Sequence, residues 1–229
     1  MEDRFKVGLI VPSSNSVMEV DFYKNLPPKS TLHVGRMYLK DTTVKGEEEM
    51  LDVHFPKALY DLSTVKPRII VFGCTSAGAL RGNAYDEALC KKIEEVGACV
   101  SVSVIASVRK KIAEKKLKKI GVLTPYIAEL NKRIKSSLEA DGVLVNFIDG
   151  MNIDYNHAIG MVSPQEIIDY VKKTYKEQDE KVDGLFLSCT NFRAMEVYEE
   201  LEQEFGIPVF TSNQVAVEAV KELVKNYSL

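Results

Sequence analysis

The chain alternates between short apolar runs and longer amphipathic stretches. Apolar runs at 5–11 (FKVGLIV), 31–39, 68–72 (RIIVF), 99–104, 119–123 (KIGVL), 143–148, 183–187 and 207–210 predict β-strands. Several are apolar at successive positions, as expected of strands covered on both faces. Between them, helical spacing of apolar residues predicts helices near 16–25, 47–62, 84–96, 105–116, 127–140, 164–177, 193–205 and 213–225. In SPQEIIDYV, 163–171, Ser163 stands at the N-cap, Pro164 at the first helical position and Glu166 at the third, a capping box. Regular strand–helix alternation predicts an α/β fold with a mostly parallel sheet.

The second half repeats the first. VGLIVPSSN at 7–15 resembles IGVLTPYIA at 120–128, so that Gly8 and Pro12 recur as Gly121 and Pro125. IIVFGCTSAGAL at 69–80 resembles GLFLSCTNFRAM at 184–195, and Cys74 recurs as Cys189 at nearly the same offset. A shared offset at two places in each half indicates an internal duplication. The expectation is two pseudo-symmetric lobes, each a four-stranded mostly parallel sheet flanked by helices, with the active site between them. The lobes divide as 1–112 and 113–229, and the helix at 213–229 is expected to cross back onto the first. Ligands of open parallel sheets bind beyond the carboxyl ends of the strands. Pro12-Ser13-Ser14-Asn15, Gly73-Cys74-Thr75-Ser76, Thr124-Pro125-Tyr126 and Ser188-Cys189-Thr190-Asn191 all follow predicted strands, so the four loops are expected to line one cleft with a thiol on each wall.

Composition narrows the partners. The chain is 45% apolar and 28% charged, with a formal net charge of -3 and a pI near 5.8, so nothing points to nucleic acid. Lysines such as Lys110-Lys111 read as solvated helix surface. No apolar run is long enough for a membrane span, and MEDRFKVGLIV lacks the features of a secretory leader, so a cytoplasmic location is expected. The four cysteines are then expected to be free thiols. With no C-x-x-C and three histidines, a zinc site is not expected, and no nucleotide-binding glycine motif occurs. A homodimer or higher homo-oligomer is the expected assembly.

A thiol that ends a strand and opens a helix lies near unpaired backbone N–H groups, an environment expected to favour the thiolate. The same N–H groups, with the hydroxyls of Ser13, Ser14, Thr75 and Thr190, suit a carboxylate or a developing enolate oxygen. Paired thiols support two chemistries: proton exchange on opposite faces of a carbon acid, or thiolate addition to an activated double bond with the second thiol handling a proton. Cys90 and Cys99 read as small core residues, Asn15 equally as a helix cap, Tyr126 as a packing aromatic, His157 as a loop residue and Arg193 as helix surface.

VPSSN, FGCTSAG, TPY, NHAIG at 156–160 and SCTN together resemble the aspartate/glutamate racemase superfamily. Within it they are most similar to the maleate cis-trans isomerase branch, which includes arylmalonate decarboxylases. The resemblance spans nearly the whole chain and implies two pseudo-symmetric α/β lobes without metal or organic cofactor. It implies that Cys74 is a nucleophile adding to C2 of maleate and Cys189 the partner acid and base. Asn15, Tyr126 and Asn156 then bind substrate carboxylates, with Ser76 and Asn191 lining the same pocket. Decarboxylases of the branch lack the first cysteine, so Cys74 favours isomerisation. The alternatives are an aspartate/glutamate-type racemase using the same thiols and a non-catalytic dicarboxylate-binding protein.

Overall fold

A computed structural model describes residues 4–227; Met1–Asp3 of the N-terminal reading and 228–229 of the C-terminal helix lie outside them. The first sheet contains β1 (Phe5–Pro12), β2 (Ser30–Met37), β3 (Ile69–Phe72) and β4 (Val100–Ser103) in the order β2-β1-β3-β4. The second contains β5 (Lys119–Thr124), β6 (Leu144–Gly150), β7 (Gly184–Leu187) and β8 (Val209–Thr211) in the order β6-β5-β7-β8. Every pairing is parallel, with Leu9 opposite Val34 and Val71 in one sheet and Val122 opposite Ile148 and Phe186 in the other. The inner strands β1, β3, β5 and β7 carry the near-continuous apolar runs because both their faces are covered.

The helices of the first half are α1 (Met18–Asn25), α2 (Val44–Glu49), α3 (Phe55–Ser63), α4 (Thr75–Leu80), α5 (Asn83–Gly97) and α6 (Val104–Glu114). Those of the second are α7 (Ala128–Glu139), α8 (Asn156–Met161), α9 (Pro164–Lys176), α10 (Tyr198–Phe205) and α11 (Ser212–Tyr227). The predicted capping box is present at the start of α9. Three local features depart from the sequence reading. The helix predicted at 47–62 is interrupted by a π-helical turn, Met50–His54, between α2 and α3. The one predicted at 193–205 opens as a separate 3₁₀ turn, Arg193–Glu196. Short helices α4 and α8 follow the strand-end loops, each only six residues long and therefore without a full periodic signal.

Helix α11 leaves the second sheet and covers the first. Ala216, Val217, Val220 and Val224 share an apolar cluster with Val7, Leu9, Val11, Ile69 and Val71. Helix α6 packs beside α11 and reaches the second half through Arg109, which pairs with Asp141; its Ile105, Val108 and Ile112 belong to the large cluster that runs through both halves. Lys110 and Lys111, expected to be merely solvated, reach from α6 to Glu222 and Glu218 of α11 at 2.8 and 2.7 Å. Such exposed pairs contribute less than about 1 kcal/mol each, so the crossing rests on the buried valines. Replacing fully buried Val220 by Ala should lower unfolding free energy by roughly 2 kcal/mol in a urea titration; an unchanged midpoint would show that α11 is not held by this face.

Candidate active site

The strand ends of both sheets bring the two duplicated thiols together. Cys74 sits between β3 and α4, Cys189 follows β7, and each is only 4% exposed. The turns that carry them are tied to each other. Thr190 donates its hydroxyl to the carbonyl of Gly73 at 3.0 Å. Thr75 donates to Ser212 Oγ at 2.8 Å, and Ser212 Oγ accepts the Cys189 backbone N–H at 3.1 Å. Gly73 is required at this crossing, because a Cβ there would lie 2.9 Å from the carbonyl oxygen of Ile10 and 2.8 Å from Met18 Sδ. Cys189 has φ of 153°, a strained value for a residue with a side chain. Its Sγ accepts the Asn191 N–H at 3.2 Å.

The other sequence-predicted residues converge on the same turns. Asn15 serves two ends: its Oδ1 accepts the N–H groups of Val17 and Met18 ahead of α1, and its Nδ2 donates to Thr190 Oγ1 at 3.1 Å. Asn156, at the start of α8, donates to Ser14 Oγ at 2.9 Å. Asn191 donates to the Asn156 carbonyl at 2.6 Å and accepts the Ser16 N–H at 2.8 Å. Ser13 Oγ accepts the Leu39 N–H at 3.1 Å. The hydroxyls of Thr75 and Thr190 are thus engaged in joining the lobes. Tyr126 is buried, with its hydroxyl facing the Cys189 thiol. The loops ahead of α2 and α8 also meet, where the Thr42 N–H donates to the Asp154 carbonyl at 2.7 Å.

Away from this cluster, Cys90 and Cys99 are half-buried and unbridged, and Arg193 pairs with its neighbour Glu196. Among the described residues no group of three His, Cys, Asp or Glu side chains gathers to hold a metal ion, and no helix is long and apolar enough to cross a membrane.

The electrostatics differ from the sequence expectation. Burial, followed by the charge of Glu47, pushes the Cys74 thiol well above its ordinary range, although the Ala77 N–H and Ser76 hydroxyl, 3.8 Å from its sulfur, oppose the shift. Burial pushes Cys189 up to about 12 against the opposing Tyr126 and Asn191 hydrogen bonds. Desolvation therefore outweighs the N–H groups that were expected to favour the thiolate. Tyr126 is likewise raised, by burial first and then by the two cysteines.

Sequence reasoning missed Glu47. It lies on α2 with no exposure, accepts the Ser76 hydroxyl at Oε1, and is raised by burial to about 8. Its position three and four residues before buried Met50 and Leu51 is the signal that could have found it, since that spacing sets the carboxyl on the apolar stripe. In the unfolded chain a glutamate titrates near its ordinary 4.5, so folding must retain a proton at Glu47 and stability falls as pH rises from there to about 8. Glu47→Gln should therefore melt progressively higher than the parent between pH 5 and 8, with the gap levelling above that range. A gap independent of pH in calorimetric scans would mean that Glu47 titrates normally.

Comparison with known proteins agrees with this architecture. Residues 7–227 match the family model described as arylmalonate decarboxylase. A maleate isomerase of Alcaligenes faecalis is 25% identical, over 98% of this chain and 92% of its own length. Among solved structures, the maleate isomerase Iso of Pseudomonas putida S16 superposes with a TM-score of 0.89 at 20% identity, covering 97% of this chain and 94% of that one. A Nocardia farcinica maleate cis-trans isomerase, a cysteine-to-serine mutant with a covalently bound succinylcysteine intermediate, gives the same score at 18% identity, covering 97% and 94%. The chain belongs to the arylmalonate decarboxylase family, and its resemblance within that family runs to the maleate isomerases.

Proposed function

We propose that the protein is a cis-trans isomerase of a small dicarboxylate, converting maleate to fumarate through a covalent adduct on Cys74. The observation that carries this reading is the pair of duplicated thiols buried together, with Tyr126 on one and Ser76 beside the other. In the reaction the Cys74 thiolate adds to C2, forming a C–S bond while the π electrons move toward C3 and its carboxylate. Cys189 delivers its proton to C3, leaving a succinyl thioether with a freely rotating C2–C3 bond. After rotation Cys189 takes back a proton from C3, the C–S electrons return to sulfur, and fumarate departs. Addition and elimination are redox-neutral, so the sequence of steps calls for no electron carrier.

Burial of both thiols sets the chemical difficulty, since a thiolate must form in a desolvated space and attack an anion. Donors already aimed at the sulfurs, from Ala77 to Cys74 and from Tyr126 and Asn191 to Cys189, oppose that penalty. Asn15 and Asn156 hold amide groups at the same turns, and each has a second N–H for a substrate carboxylate. The covalent succinylcysteine in the Nocardia farcinica enzyme supports the addition step by analogy. In another neighbouring structure, an arylmalonate decarboxylase, a glycine was replaced by cysteine; here the first thiol is native, which favours isomerisation.

Purified protein mixed with maleate should show the maleate vinyl proton resonance decay as that of fumarate grows. Cys74→Ala and Cys189→Ala should each lower that rate by about a thousandfold or more. Exchange of an amino acid α-proton in D₂O with maleate untouched would replace this reading by racemisation. Iodoacetamide should inactivate the protein, with modification mapping to Cys74 or Cys189 and maleate slowing it. Protection absent at both positions would place the substrate elsewhere.

A further inference from the structure

We propose that Glu47 works as a neutral carboxylic acid whose Oε2–H donates a hydrogen bond to a carboxylate oxygen of the bound diacid. This rests on the dicarboxylate reading above and adds a recognition group to it.

The geometry supplies three parts. First, Glu47 has no exposure and no ion-pair partner among the described residues, so no opposite charge offsets the penalty of ionising it in the interior. Second, the Ser76 hydroxyl donates to Oε1, which makes Oε1 the acceptor oxygen and assigns the proton of the neutral acid to Oε2. Oε2 is fully buried and has no hydrogen-bond partner. A buried O–H with no acceptor is unfavourable on its own, and an anionic ligand oxygen completes it. Third, the carboxyl is sensed by the groups that would flank the substrate. A charge on Glu47 raises Cys74, Cys189 and Tyr126 alike.

An ionised Glu47 would thus oppose both the Cys74 thiolate and an incoming dianion, whereas the protonated form opposes neither and adds a donor. Burial holds the proton on to about pH 8. A carboxyl kept neutral to donate to a developing oxyanion is a known catalytic device. The titratable groups facing Glu47 from neighbouring elements are Cys74 ahead of α4, Tyr126 after β5 and Cys189 after β7. Helix α4 itself contributes none. Lys45, Glu48 and Glu49 of α2 are directed to solvent, and Asp52 in the following turn is paired with Arg81. His54, at the end of that turn, meets the Tyr38 ring edge-on.

Succinate tests the assignment, because it carries both carboxylates but no double bond to react. Its affinity, measured by isothermal titration calorimetry on the full chain, should hold steady up to about pH 8 and then weaken about tenfold per pH unit as Glu47 ionises. Glu47→Gln, which keeps an acceptor for Ser76, should bind succinate about three- to tenfold more weakly at neutral pH and lose the alkaline weakening. Glu47→Asp, which retains an acid, should keep the weakening. Circular dichroism confirms that each variant is folded. If Glu47→Gln loses affinity above pH 8 just as the parent does, or the parent shows no alkaline loss, the inference falls. Should the parent convert maleate while those profiles coincide, Glu47 alone is misassigned. A parent that neither binds succinate nor converts maleate overturns both readings.

Discussion

The structure depends on the hydrogen bonds that tie the strand ends of one lobe to those of the other. Gly73 precedes Cys74 and Thr190 follows Cys189, so the single bond from the Thr190 hydroxyl to the Gly73 carbonyl fixes both sulfur-bearing turns at once. Thr75, Ser212 and the Cys189 N–H form a second link of the same kind. Asn213, at the start of α11, adds a third by donating to Asp21 on α1 and to the Thr190 carbonyl. Each such bond adds about 1 kcal/mol net, yet breaking one would strand a buried polar group, which costs more. Their contribution is register: the duplicated halves cannot slide without uncovering donors and acceptors in the interior.

That register also explains why the site can be so dry. With the lobes locked, Cys74, Cys189, Tyr126 and Glu47 are all nearly or fully excluded from solvent. The common effect is to favour the neutral form of every group, raising the thiols, the phenol and the carboxyl together. Dryness strengthens each hydrogen bond aimed at a sulfur, and the same low polarity makes a second nearby negative charge strongly unfavourable.

Much of this could be read from the residues. The four inner strands were legible because strands covered on both faces are apolar at consecutive positions, as IIVF and GLFL are. The duplicated Cys-Thr pairs marked the two strand ends that the structure ties together, because repetition is independent of local propensity. What escaped had physical causes. Helices α4 and α8 are too short for periodicity to accumulate. Glu47 sits in the run GEEEM, where adjacent glutamates look like a solvated face until the π-helical turn and the packing on α4 are known. The ionisation of the thiols runs against the sequence expectation because burial depth is a tertiary quantity: nearby N–H groups are visible in a strand–helix junction, while the hydrocarbon that surrounds it is not.

The backbone at Cys189 carries one more consequence. Its φ of 153° is ground that glycine occupies freely and a side chain enters at a penalty, whereas its counterpart Cys74 has an ordinary extended φ of -144°. The two halves are therefore unequal where they look most alike. Folding alone would prefer a residue without a Cβ at 189, so the sulfur there stands against the grain of the chain, and the twofold likeness of the sequence ends at that atom.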